Sequence, residues 1–187
     1  CTEDLFVPGF FDIKMKKGES IVISVALEEK KPAGFKKSYN AEVKNRFSRN
    51  SYEKCLRNAA DQFLITRNGR NEVIAGYHWF GRWGRDTFIA IPGICLTDDN
   101  EKEFHLIMQS MIKEIVKGNF PNVCVKEELI YNAADTPFWF FRARHKLHEM
   151  TAGRSDVWKR YGDVIKSLLK SILRDENVLI RLEDNGL

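Results

Sequence analysis

The sequence has few of the short signatures that announce a chemistry. It contains no run of about 18 apolar residues, so no transmembrane helix and no membrane partner are expected. Its N-terminal "CTEDLFVPGFF" has no basic start ahead of an apolar run, which excludes a secretory signal peptide. It also lacks an initiator Met, and the chain is expected to begin inside a longer protein. The four cysteines, Cys1, Cys55, Cys95 and Cys124, form no CxxC pair and no zinc-ligand spacing. Three of them sit in apolar surroundings and read as small packing residues of a reducing, cytoplasmic compartment. The four histidines, His78, His105, His145 and His148, lack zincin spacing, and no metal is expected. There is no Gly-x-Ser-x-Gly elbow, no Cys/His order that suggests a nucleophile pair, and no internal repeat. No cofactor motif is present.

What is present is an ordinary globular composition, 43% hydrophobic over 187 residues, with a net charge of +4. The basic excess lies between Glu28 and Arg70, where Lys and Arg outnumber Asp and Glu by 11 to 5. Stacking aromatics do not interleave it in any nucleic-acid motif, so it reads as a solvated surface with no nucleic-acid partner.

Period-two alternation at Phe11, Ile13 and Met15, then Ile21, Ile23, Val25 and Leu27, across the Gly18 turn, predicts a β-hairpin within residues 1–28. Residues 29–50 read as a linker that becomes helical around Tyr39–Phe47. Beyond Ser51, a plausible N-cap, the period turns helical: Tyr52, Cys55, Leu56, Ala59 and Phe63 share one face. Asn68-Gly69 marks a tight hairpin. "TFIAIPGICL" is apolar all round, which predicts a buried helix kinked or ended near Pro92. Asp98 with Glu101 resembles a capping box. The stripe Phe104, Met108, Met111, Ile112, Ile115 is expected to run to a stop at Gly118. A helix is expected from Thr136-Pro137 to about Gly153. The last helix carries Trp158, Tyr161, Ile165, Leu168, Leu169 and Ile172 on one side. The body is thus mainly α, built of helical hairpins, and it stops at "EDNGL" as though cut short.

Two stretches concentrate the polar and aromatic chemistry. "AGYHWFGRWGRD" (75–86) sets Tyr77, Trp79, Phe80 and Trp83 beside Arg85 and Asp86, among three glycines. Flat rings bury the C–H faces of sugars at little conformational cost. A guanidinium and a carboxylate bond hydroxyls from fixed directions. The glycines permit turns that aim such groups into a cleft. On composition alone the plainer reading is stronger: core aromatics, a structural Arg85–Asp86 ion pair, or Asp86 as a helix cap. The second stretch, "GNFPNVCVKEELIYNAADTPFWFF", brings Asn122, Tyr131, Asn132 and Asp135 ahead of an aromatic helix. Here too, capping by Asp135 or Thr136 competes with ligand contact.

The order of these pieces is more specific than any one of them. "AADQF", a short hairpin, "AGYHWFGRWGRDTFIAIPG", "GNFPN" and "YNAADTPFWFF" together resemble the start of the C-terminal glucosidase domain of glycogen-debranching enzymes, the amylo-α-1,6-glucosidase type. His78 stands where that pattern has Pro, Phe120 where it has Ile, and Thr136 where it has Ala; no polar contact residue is lost. The opening hairpin is similar to the end of the β-rich domain preceding the glucosidase domain. The resemblance implies an (α/α)₆ toroid of which residues 51–187 form the first part, no cofactor, and a glycogen or α-glucan oligosaccharide as substrate. It implies a terminal-glucose subsite lined by Trp79, Trp83, Arg85 and Asp86, with Asn122, Tyr131, Asn132 and Asp135 nearby; Tyr77, at the start of the same loop, is a further candidate for substrate contact. Inverting hydrolysis needs two carboxyl groups roughly 6.5–9.5 Å apart. The resemblance puts the acid in a Thr-Trp-Met-Asp-like run that "NVLIRLEDNGL" approaches, and the base further on. Both are expected beyond Leu187, in the remainder of the same enzyme, with the covered segment inactive alone. The alternatives are another toroid glycosidase, trehalase-like or glucoamylase-like, and a non-catalytic helical module that binds sugar or protein.

Overall fold

The computed structural model describes residues 4, 6–7, 9–77, 79–97, 100–125 and 128–183. Two compact units are distinguished, Cys1–Phe47 and Ser48–Leu187.

In the first unit the expected hairpin is not formed: none of the described residues up to Leu27 is in a strand. The turn itself is present, with the Glu19 amide bonded to the Lys16 carbonyl and Gly18 at φ +89°. The alternating side chains stay exposed, up to Val25 and Leu27. Alternation yields a stable ribbon only when one face has something to cover it, and an isolated hairpin is marginal in water. Past a 3₁₀ turn at Pro32–Gly34, helix α1 spans Phe35–Asn45, starting earlier than expected and burying no residue.

The second unit is mainly α-helical with two small antiparallel sheets. Helix α2 (Tyr52–Asp61) is capped by Ser51, whose hydroxyl accepts from the Lys54 amide at 3.3 Å. Its predicted apolar face is not covered: Tyr52, Cys55, Leu56 and Ala59 are exposed, the helix buries Asn58 instead, and only Phe63, past its end, is partly buried. Strands β1 (Leu64–Arg67) and β2 (Arg70–Gly76) form the Asn68-Gly69 hairpin, with φ +51° and +72° at the turn. β3 (Phe80–Arg82) pairs with β2 through Ile74 and Arg82. Helix α3 (Gly84–Ile91) ends where Pro92 follows, and Pro92–Leu96 continue as a π-helical turn. Its burial is one-sided, contrary to the all-round expectation: Thr87, Phe88 and Ile91 are inside, while Ile89 is half exposed.

Helix α4 (Glu101–Ile112) starts at Asn100, whose side chain accepts from the Glu103 amide. Asp98, the expected cap, lies outside the described residues. The helix stops at Ile112, short of Gly118, because Val116 and Asn119 pair across a tight Lys117-Gly118 turn with positive φ at both residues. A hairpin that the residue pattern did not suggest follows, β4 (Val123–Val125) with β5 (Glu128–Ile130). Helices α5 (Thr136–Met150) and α6 (Val157–Leu173) complete the unit. On α6, Tyr161, Ile165, Leu168 and Ile172 are buried as expected, but Trp158 and Leu169 flank the stripe and remain exposed.

The core centres on three rings. Phe88 of α3 meets Phe120 at 4.8 Å and Phe140 of α5 at 5.6 Å, and Phe120 meets Phe140 at 5.0 Å. All three are essentially inaccessible. Burying rings of this size is among the largest stabilising contributions available to a small core, and edge-to-face contacts add to it.

Candidate functional site

Those three rings stand behind the polar residues singled out above. Arg85 lies one turn before Phe88, Asn122 two residues after Phe120, and Asp135 five residues before Phe140. The aromatic core thereby fixes the three segments that carry the polar groups.

The aromatic stretch and the Asn-x-x-Asp stretch lie side by side. Trp83 bridges to Val123, and the Gly84 amide donates to the Asn122 carbonyl at 2.7 Å. A Cβ at Gly84 would overlap the Pro121 carbonyl oxygen, so glycine is needed there for close approach. Gly76 has a similar role, since a Cβ would sit 2.6 Å from the Phe80 ring. Trp79, Phe80 and Trp83 form a chain of rings with centroids 6.4 and 6.5 Å apart. Trp79 is 76% exposed, Tyr77 is also exposed, and Trp83 is half-buried. Rings this open contribute little to a core and remain available to a ligand.

Arg85 pairs with Asp135, fifty residues later, and not with its neighbour Asp86. Its Nε and Nη2 donate to Asp135 Oδ1 at 3.1 and 2.8 Å. Asp135 Oδ2 accepts from Trp139 Nε1 at 3.0 Å. Asp135 precedes α5, yet its side chain makes no cap bond. The capping alternative is therefore not what occupies its oxygens. Burial tends to raise the Asp135 carboxyl, but the bonds from Arg85 and Trp139 and the Arg85 charge outweigh it and hold the group below its usual range. Both ion-pair partners are somewhat under half exposed, so the carboxylate is oriented yet still reachable.

Asn122 is buried. Its Nδ2 donates to Asn132 Oδ1 at 3.0 Å, while its own Oδ1 has no hydrogen-bond partner. Asn132 is exposed. The structure thus joins Trp83, Arg85, Asn122, Asn132 and Asp135, with Trp79 reached through Phe80.

Two candidates lie apart from this group. The Tyr131 hydroxyl donates to the Glu114 carbonyl at 2.7 Å. Burial, then the Glu114 charge, raise its pKa, and Arg82 opposes them. The Asp86 side chain makes no hydrogen bond or ion pair among the described residues. It lines an apolar groove of about 380 Å³ with Ala59, Phe63, Ile89 and Ile94. His78 lies outside the described residues.

Sequence reasoning missed Trp139, although its place four residues after Asp135 at a helix start is a readable signal. It also missed the support beneath Trp83. Arg82, 3% exposed, reaches Glu114 Oε2 at 2.7 Å and Glu72 Oε1 at 3.4 Å, and both carboxylates are buried. This ion cluster pins β3 immediately before the aromatic residue that opens α3. No group of three or more potential metal ligands occurs among the described residues. No helix there is long and apolar enough to cross a membrane.

The juxtaposition of these two stretches agrees with a family match. Residues 58–187, more than half of the chain, match the family described as amylo-alpha-1,6-glucosidase. The chain belongs to that family. Comparison with curated proteins finds no significant match, and comparison with solved structures finds none. The matched span begins within α2 and includes every candidate residue from Tyr77 to Asp135. As a member of an amylo-alpha-1,6-glucosidase family, the chain is of glycosidase type.

Proposed function

We propose that this chain supplies the glucose-binding wall of a glycogen-debranching enzyme that hydrolyses α-1,6-linked glucose at branch points. One observation carries the reading: an Arg85–Asp135–Trp139 arrangement, oriented but accessible, adjoins the exposed ring chain Trp79–Phe80–Trp83. The rings would take the apolar face of a glucose residue, while Arg85 and Asp135 meet its hydroxyls, with Asn122 and Asn132 beside them. Tyr77, Tyr131 and Asp86 belong to the same reading as outlying contributors.

Asp135 stays ionised in the neutral range, which suits accepting hydrogen bonds and not donating a proton. The proton donor is therefore a carboxyl group other than Asp135. In this reading acid and base are both carboxyl groups other than Asp135 and Asp86, and this segment alone is inactive. The helical hairpins are the first part of an (α/α)₆ toroid spanning 51–187, after a linker and first helix at 29–50 and, at 1–28, the end of a β-rich preceding domain. The enzyme acts in the cytoplasm without a cofactor or metal.

The test is saturation-transfer NMR with isomaltose on the full chain. Saturable transfer to one glucose ring, lost in Trp79→Ala and Arg85→Ala, is expected. Absence of transfer, or transfer that both variants leave intact, would refute the reading.

A further inference from the structure

A second polar pocket lies away from the sugar-binding wall, at the tip of the β1–β2 hairpin. It encloses about 440 Å³ and is lined by Arg67, Asn68, Arg70, Glu72, Arg82, Cys124 and Leu129. Strand register explains why the arginines converge. Arg67 and Arg70 are direct partners across the ladder, and Glu72 and Arg82 follow on the same face, Arg82 opposite Ile74. Like charges placed directly opposite repel, so the arrangement costs stability unless anions sit between them.

The protein supplies only part of that compensation. Glu72 and Glu114 face three guanidinium groups, which leaves one positive charge in excess. Each guanidinium has five N–H donors and no acceptor. Glu72 accepts one hydrogen bond from Arg67 at 3.3 Å, and Glu114 one from Arg70 at 2.5 Å. Arg82 is nearly fully buried, and its Nη1 lies 3.4 Å from Glu72 Oε1 without completing a hydrogen bond to it. Arg67 and Arg70 are about half exposed at the mouth, and Arg82 lies beneath them.

We infer that this pocket binds a phosphate group, free or carried on a small polar molecule. A ligand here must be rich in acceptors and anionic. Planar carboxylate oxygens satisfy one guanidinium fork, whereas tetrahedral phosphate presents acceptors to donors arriving from several strands. The volume exceeds what inorganic phosphate fills and lies within the range of small-ligand sites. No aromatic ring is among the described lining residues, so the pocket lacks the stacking surface of the sugar-binding wall.

The experiment titrates the full chain with inorganic phosphate, glucose 6-phosphate and glucose at fixed ionic strength, following heat and backbone amide shifts. Phosphate and glucose 6-phosphate should bind saturably, with shifts centred on residues 67–72 and 82, and glucose alone should not displace them. Tighter binding of the ester than of phosphate assigns the rest of the pocket to a carried body; equal binding assigns the site to the free anion. Arg67→Gln should weaken phosphate about tenfold, the loss of one charge-assisted hydrogen bond. Glu72 keeps Arg82 in that variant, and far-ultraviolet circular dichroism checks its fold. Arg67→Lys, which keeps the charge but not the fork, should weaken binding less. Arg85→Gln, outside the pocket, should bind phosphate as the parent does. Absence of saturable binding, shifts located elsewhere, or full affinity in both Arg67 variants would overturn the assignment.

Discussion

Replacing Arg82 by Leu tests whether the buried ion cluster supports the aromatic stretch. Arg82 is 3% exposed, and its removal leaves Glu72 and Glu114, 5% and 6% exposed, without the cation between them. Stranding one partner of a buried pair costs roughly 3–5 kcal/mol. Arg67 and Arg70 remain as partial counter-ions, at 3.3 Å and 2.5 Å, so the lower end applies, about 3 kcal/mol. A domain is held by only about 5–15 kcal/mol, and a loss of this size lowers the melting temperature by about 10 °C. Arg85→Ala provides the contrast. Its pair with Asp135 is nearly half exposed on both sides, so the stability loss should be at most about 1 kcal/mol. Urea unfolding of the three proteins, followed by circular dichroism, gives both values. If Arg82→Leu costs no more than Arg85→Ala, the cluster is not what holds β3, and the account of how Trp83 is positioned fails.

Local features with a local physical cause were legible in the sequence. Asn68-Gly69 forms a tight turn because its two residues tolerate positive φ. Ser51 caps α2 because its hydroxyl lies three residues before an amide it can accept from. The end of α3 at Pro92, where a π-helical turn takes over, follows from the missing amide of proline. Features that depend on distant partners were not legible. The alternation at residues 11–27 carries no record of whether a covering surface exists, and the structure leaves it exposed. Strands β4 and β5 have three residues each, too few to show a period. The sequence sets Arg85 beside Asp86, but its partner is Asp135, brought there by the packing of Phe88, Phe120 and Phe140. Two motifs in the right order indicated a shared site; only the fold shows which side chains meet.

Three further measurements probe the same structure. Gly84→Ala should destabilise the chain by about 1–3 kcal/mol, because the new methyl overlaps the rigid Pro121 carbonyl, and thermal melting reads the loss. His105, bonded to Tyr161 at 2.5 Å and to Glu101 at 3.0 Å, is held below its ordinary pKa of 6.5 by burial, with Arg160 adding to the effect and Glu101 opposing it. The unfolded chain therefore binds the proton more readily, and this contribution to stability, complete above pH 6.5, is lost as pH falls towards the folded value. Melting curves between pH 7 and 5 should slope downward, less so in His105→Gln. The remaining comparison sets Asp135→Asn against Asp86→Asn. Asp135 offers two acceptor oxygens, one to Arg85 and one to Trp139. An amide supplies one acceptor only, so one donor is left unmatched and the geometry presented to a hydroxyl is lost. Isomaltose affinity should fall about tenfold or more. Stability should change by less than about 1 kcal/mol, because the pair is nearly half exposed. Asp86 has no such partners among the described residues and faces the groove lined by Ala59, Phe63 and Ile89, so its substitution should weaken isomaltose less. A larger effect at Asp86 than at Asp135 would move the sugar from the Trp79–Trp83 wall into that groove, and with it the proposed role of Arg85.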